Sequence, residues 1–81
     1  MKGFTAVVDK IEVYFNPDEG YEFDDIGEIK DEMFFEIPDL EDLFQYENGR
    51  GFVARFWVDD DSRFGVISDA KEIVAKHVKE V

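Results

Sequence analysis

Carboxylates are the one reactive group this chain carries in excess. Asp18, Glu19, Glu22, Asp24, Asp25, Glu28, Asp31, Glu32, Glu36, Asp39, Glu41, Asp42 and Glu47 form a nearly unbroken series in which Lys30 is the only base. On a strand, alternate residues repeat every 6.6 to 6.8 Å or so. On a helix, neighbours three or four apart lie about 5 to 6 Å from one another. Duplex DNA places one phosphate per roughly 3.4 Å of axis on each strand, so two such rows approach its charge density without copying its backbone. The chemistry this predicts is exchange of counterions for carboxylates on the Lys and Arg of a partner's nucleic-acid site.

The excess is confined to one half. Met1 to Glu47 holds fifteen acids against three lysines, a net of −12, whereas Asn48 to Val81 holds six acids against six bases. A solubility device needs only a few charges spread over the whole surface. Crowding them costs stability through self-repulsion, which a small domain can ill spare. Adaptation to high salt fits poorly as well, because Lys outnumbers Arg six to three and the second half has no acidic excess. Large aromatics, Tyr21, Phe23, Phe34, Phe35, Phe44 and Tyr46, are interleaved with the acids. Most belong in a core, and one or two exposed rings would add an apolar anchor to electrostatic steering.

Other chemistries find less material. No twelve-residue calcium loop is present: counting from Asp60 places Gly65 sixth but Lys71 twelfth, and counts from Asn16 or Asp18 fail too. Asp59-Asp60-Asp61 reads as a polar turn, and no metal or other cofactor is expected. The one histidine, His77, and the two serines, Ser62 and Ser68, would have to converge for a nucleophilic triad. His77 reads instead as a helix-boundary residue. Gly49-Arg50-Gly51 lacks the later Gly and Lys of a phosphate loop, and no enzyme is expected. A net −12 also argues against direct nucleic-acid binding through Arg50, Arg55 and Arg63, which balance nearby acids.

At 81 residues the chain has room for one domain, residues 1–81, with one small core. Apolar residues make up 44% of it, too many for a disordered acidic tail. Without cysteine it holds together by packing alone or by oligomerising, for instance as a homodimer. The N-terminal apolar stretch is too short for a signal peptide, and no run approaches the roughly 20 apolar residues of a membrane span. A soluble, cytoplasmic protein is expected.

Periodicity then sets the elements. Phe4 to Phe15 reads as a strand whose phase change near Asp9-Lys10 calls for a bulge. Asn16-Pro17-Asp18-Glu19-Gly20 is a turn leading to Tyr21 and Phe23 in a hairpin. Asp24 to Ile37 reads as a turn or short helix followed by a strand at about Glu32 to Ile37. Leu40, Leu43 and Phe44 suggest a short helix that stops near Asn48-Gly49. Gly51 to Val58 alternates cleanly and reads as a central strand. A second strand, Phe64 to Ile67, is followed by an amphipathic helix capped by Ser68 or Asp69 and running to Val81. The predicted fold is α+β: an antiparallel sheet of four to five strands, a short middle helix and a C-terminal amphipathic helix.

The expected function is an acidic nucleic-acid mimic, an inhibitor of anti-restriction or anti-CRISPR type from a virus or mobile element. It would occupy the basic surface of a nucleic-acid-binding protein through Asp24, Asp25, Glu28, Asp31, Glu32, Glu36, Asp39, Glu41 and Asp42. The alternative is an adaptor, antitoxin or immunity protein that covers a basic partner without mimicry. A carboxylate- or metal-dependent enzyme subunit ranks third. The crowding also predicts carboxyl pKa values raised by mutual repulsion, with stability growing as pH falls from 7 towards 5 and as salt is added.

Overall fold

The computed structural model describes residues 8–46 and 50–81. Within them the order is β1 (Asp9–Phe15), β2 (Tyr21–Phe23), α1 (Ile26–Glu36), β3 (Leu40–Gln45), β4 (Phe52–Val58), α2 (Arg63–Ala75) and β5 (Val78–Glu80). The class is α+β, with five strands divided between two antiparallel sheets: β1-β4-β3 and β2-β5.

β4 is central, as its alternation requires. Phe52, Ala54, Phe56 and Val58 are buried on one face, while Val53, Arg55 and Trp57 stand on the other. β1 pairs with it from Asp9↔Val58 to Phe15↔Phe52 with no shift in register. No bulge therefore interrupts β1 at Asp9-Lys10; Phe4 to Val7, the first third of the expected strand, lie outside the described residues. Both helices pack on the Phe52–Val58 side, where Ile29 and Met33 of α1 and Val66, Ala70, Ile73 and Val74 of α2 complete the core. Burial of these side chains is the main source of stability.

Four local expectations are overturned. The segment to Glu36 is one helix, not a strand from Glu32. Asp25 caps it, its Oδ1 accepting from Glu28 N at 3.3 Å, and Ile26, Ile29 and Met33 fall on the buried side. Ile37 is extended because the following Pro38 disfavours helical backbone. Next, Leu40 to Gln45 is a strand rather than a short helix. The register shifts between Leu40 and Asp42, so Glu41 is an extra residue in a bulge and Leu40 and Leu43 face the core although three residues apart. The predicted helix end at Asn48-Gly49 lies outside the described residues.

Third, Phe64 to Ile67 belongs to α2. Asp59 closes the turn that leads into it: its Oδ1 accepts from Ser62 N at 2.8 Å and its own N–H donates to Ser62 Oγ at 3.0 Å. Ser68 and Asp69 sit inside the helix, not at its cap. Fourth, α2 stops at Ala75 and the chain turns into β5. The turn before Tyr21 forms as read, with Tyr21 N donating to Asp18 O at 3.0 Å and Gly20 at φ +86°. Its strand, however, pairs with β5 rather than β1, in the register Tyr21↔Glu80 to Phe23↔Val78. Gly51 marks a close approach at the start of β4, where a Cβ would lie 2.6 Å from the Phe15 carbonyl oxygen.

Candidate partner-binding surface

Nine acids were singled out by sequence, and the fold distributes them over three settings. α1 carries Glu28, Asp31, Glu32 and Glu36, with Asp24 and Asp25 leading in and Asp39 just beyond it. The helix is set by its buried Ile29 and Met33, and at 100° per residue Asp31, Phe35 and Glu28 then point away from the core. All three are exposed, and Phe35 is 86% exposed, the most accessible large apolar side chain among the described residues. Asp25, Glu28, Asp31, Glu36 and Asp39 make no ion pair among the described residues. Along about 16 Å of helix the outward ridge therefore presents unneutralised carboxylates around one bare ring, with Phe34, 40% exposed, on its flank.

The other acids are engaged inside the molecule. Asp24 lies 3.6 Å from Lys79 Nζ, which also approaches Glu22 at 3.5 Å. Glu32, on the side of α1 that faces α2, accepts from Lys76 Nζ and faces His77 Nε2 at 2.9 Å. The His77 carbonyl in turn accepts from Asp24 N at 2.6 Å, so the turn after α2 is fastened to the entry of α1. Asp42 meets Lys30 at 3.2 Å and accepts from Leu43 N at 2.8 Å. Glu41, lifted by the bulge, sits between Lys10 at 3.2 Å and Arg55 at 3.9 Å. The Lys10 contact is an ion pair without hydrogen-bond alignment, since Glu41 Oε2 is buried and has no hydrogen-bond partner.

The bases of the C-terminal half thus do not stand apart from the acidic segment. Arg55, Lys76 and Lys79 all return to it, and Arg63 reaches Asp9 at 3.6 Å. Arg55 also donates to Glu12 Oε2 from Nε at 3.1 Å and Nη2 at 2.9 Å. Exposed acids without an ion pair among the described residues stand on and beside α1, and also at Asp18 and Glu19, at Asp60 and Asp61, and on α2 at Asp69 and Glu72. Phe35 was not among the nine sequence-selected residues. Its signal was the phase of Ile26, Ile29 and Met33, which places it opposite the core once 26–36 is recognised as helix.

The expected pKa pattern is reversed at every carboxylate that moves. Arg55 and then Tyr14 hold Glu12 below its ordinary value, and Lys76 and then His77 do the same for Glu32. The Leu43 N–H and Lys30 lower Asp42, and the Ser62 N–H lowers Asp59. Each of these groups binds a proton less readily in the native state than in the unfolded chain. Their contribution is complete above the unfolded values near pH 4 or so and is lost as pH falls through the lower native values. At the other extreme Glu32 raises Lys76 and Glu12 raises Tyr14. That contribution is complete below about pH 10 and lost as pH rises through the raised values. Thermal melts followed by circular dichroism should therefore show no gain in stability between pH 7 and pH 5, and a decline below about pH 4. A melting temperature that climbs steadily to pH 4 would mean that repulsion outweighs these pairs.

Among the described residues no three His, Asp or Glu side chains come together to hold a metal ion. An open cleft between the end of α1 and α2, lined by Glu36, Asp69, Glu72, Ile73, Ala75 and Lys76, holds no convergent catalytic set. No helix among the described residues is long and apolar enough to cross a membrane. In comparisons with known proteins, no family model, no curated protein and no solved structure matches this chain.

Proposed function

We propose that the protein is an inhibitor that docks the outward ridge of α1 on the basic nucleic-acid-binding surface of another protein. One observation carries the reading: Glu28 and Asp31, exposed and without an ion pair among the described residues, share the outward face of α1 with a Phe35 ring that is 86% exposed. An unpaired surface carboxylate has most to gain from a partner's Arg or Lys, because none of its charge is already engaged. A ring held in water among acids has most to gain from a pocket. Asp25 and Asp39 extend the charged strip at either end. Glu32, Glu41 and Asp42 act in a different way: their ion pairs hold α1 and β3 in place, so the strip is rigid before it meets its partner.

The adaptor or immunity-protein reading uses the same ridge without competing with nucleic acid. It draws on Phe35, since a phenyl ring imitates nothing on a phosphate backbone. Displacement separates the two. Bait carrying the wild-type chain should retain a basic nucleic-acid-binding protein, and added duplex DNA or RNA at moderate salt should release it. A stable ternary complex of chain, partner and nucleic acid would exclude mimicry and leave the adaptor in its place.

A further inference from the structure

The exposed rings of this chain differ in what lies against them. Trp57 has Lys10 over it at 4.5 Å, Phe44 has Arg55 at 5.1 Å and Phe34 has Lys30 at 5.9 Å. Phe35 and Phe64, the two barest at 86% and 79% exposed, have neither a cation nor another ring against them among the described residues. Their companions differ in turn. At 100° per residue Phe64 shares the outward face of α2 with Ser68 and Lys71, while Asp69 and Glu72 are turned about 80° or more away from it. Phe35 shares the outward face of α1 with Glu28 and Asp31. Asp31 stands about 6 Å and Glu28 about 10 Å before the ring along the helix axis. The free acids at Asp18, Glu19, Asp60 and Asp61 lie outside the helices and strands. Of the free acids, those on α1 therefore share a rigid face with a ring that nothing covers.

Resting on the α1 ridge as the contact, we infer that the basic site it meets is one that holds single-stranded nucleic acid. Phe35 stands in for an unstacked base, and Asp31 and Glu28 for phosphates. A ring has no counterpart on a phosphate backbone, and in a duplex the base faces are stacked on one another, out of a partner's reach. A duplex site accordingly offers cations to phosphates and hydrogen-bonding groups to base edges, with no surface for a ring face. A single-strand site offers both things the ridge can use. Its positive groove tracks the backbone, and its aromatic side chains and arginine planes take the faces of successive bases. Such stacking accepts every base because every base has a π-face, and a phenyl ring has one too. Burial of Ile29 and Met33 fixes the phase of α1, so Phe35 is presented without the ordering cost that a flexible strand bears.

The full chain, immobilised and exposed to a lysate of the cells that carry its gene, tests this through what releases the retained protein at moderate salt. The probes are a dT strand of about thirty nucleotides, enough for more than one single-strand site, and a duplex of the same length. Compared at equal phosphate, the strand should release the protein at a concentration at least about tenfold below the duplex, since one stacked base is worth roughly 5- to 150-fold in affinity. Phe35→Leu keeps apolar bulk and loses the π-face, and should bind the retained protein about tenfold or more weakly. Phe35→Trp and Phe64→Leu should stay within about threefold of wild type. All three positions of change are exposed, so circular dichroism should match wild type. A duplex that releases as well as the strand overturns the inference and leaves the ridge as a mimic of duplex. Folded Phe35→Leu that binds like wild type overturns it as well, because the ring face is then not read. A bait that retains nothing, or nothing that either form of nucleic acid releases, overturns the mimic reading of the ridge and this inference with it.

Discussion

Replacing Phe52 with alanine is expected to cost about 3–5 kcal/mol, a large share of the stability of so short a chain. Phe52 is fully buried at the start of β4, stacked on Phe15 with ring centroids 5.0 Å apart and meeting the edge of Phe23 at 5.1 Å. It therefore joins the three-stranded sheet to β2, so the void would open where the two sheets meet. A chain of this length is stable by roughly 4–12 kcal/mol, and no disulfide is present to make up the loss. Urea titration followed by circular dichroism measures the change. Phe35→Ala is the matched comparison: the same atoms are removed from a ring that is 86% exposed, and the midpoint should hardly move. Equal losses at the two positions would contradict the helix phase on which the binding ridge depends.

Converting Glu28 and Asp31 together to lysine is expected to weaken binding to the basic partner by at least about a hundredfold while the fold persists. Neither carboxylate is tied to another described residue by an ion pair, so no internal contact is broken. The net charge falls in magnitude from −12 to −8, which relieves repulsion across the molecule. A lysine in the first turn at position 28 opposes the helix dipole and offsets part of that relief. Thermal melting should therefore change little, while calorimetry against the captured partner shows the loss. Lys71→Glu, a change on the exposed side of α2, should leave the affinity within about a factor of three. If the double variant binds as tightly as wild type, the ridge is not the contact, whatever partner is found. Loss of binding together with loss of the helical signal would instead assign these residues to folding.

The central strand, the turn before Tyr21 and the acidic asymmetry were legible in the sequence alone, each for a local reason. Alternation from Phe52 to Val58 repeats on both faces, Pro17 and Gly20 restrict their own backbone, and charge needs no fold to be counted. The second half of α1 reads as a strand and β3 as a helix because the local pattern points the wrong way. Phe34 and Phe35 look like strand residues, yet only burial of Ile29 and Met33 against the sheet decides that the segment coils and leaves those rings in water. Leu40 and Leu43 are three apart as on a helix, and only pairing with β4 reveals the bulge at Glu41 that turns both inward. The pairing of β2 with β5 joins residues nearly sixty positions apart, a separation at which no local propensity can speak. Which carboxylates remain free was likewise settled by tertiary structure. Lys76, His77, Lys79 and Arg55 reach the acidic segment only after α2 and β4 have packed, because an ion pair depends on distances in space that a count of charges along the chain does not contain.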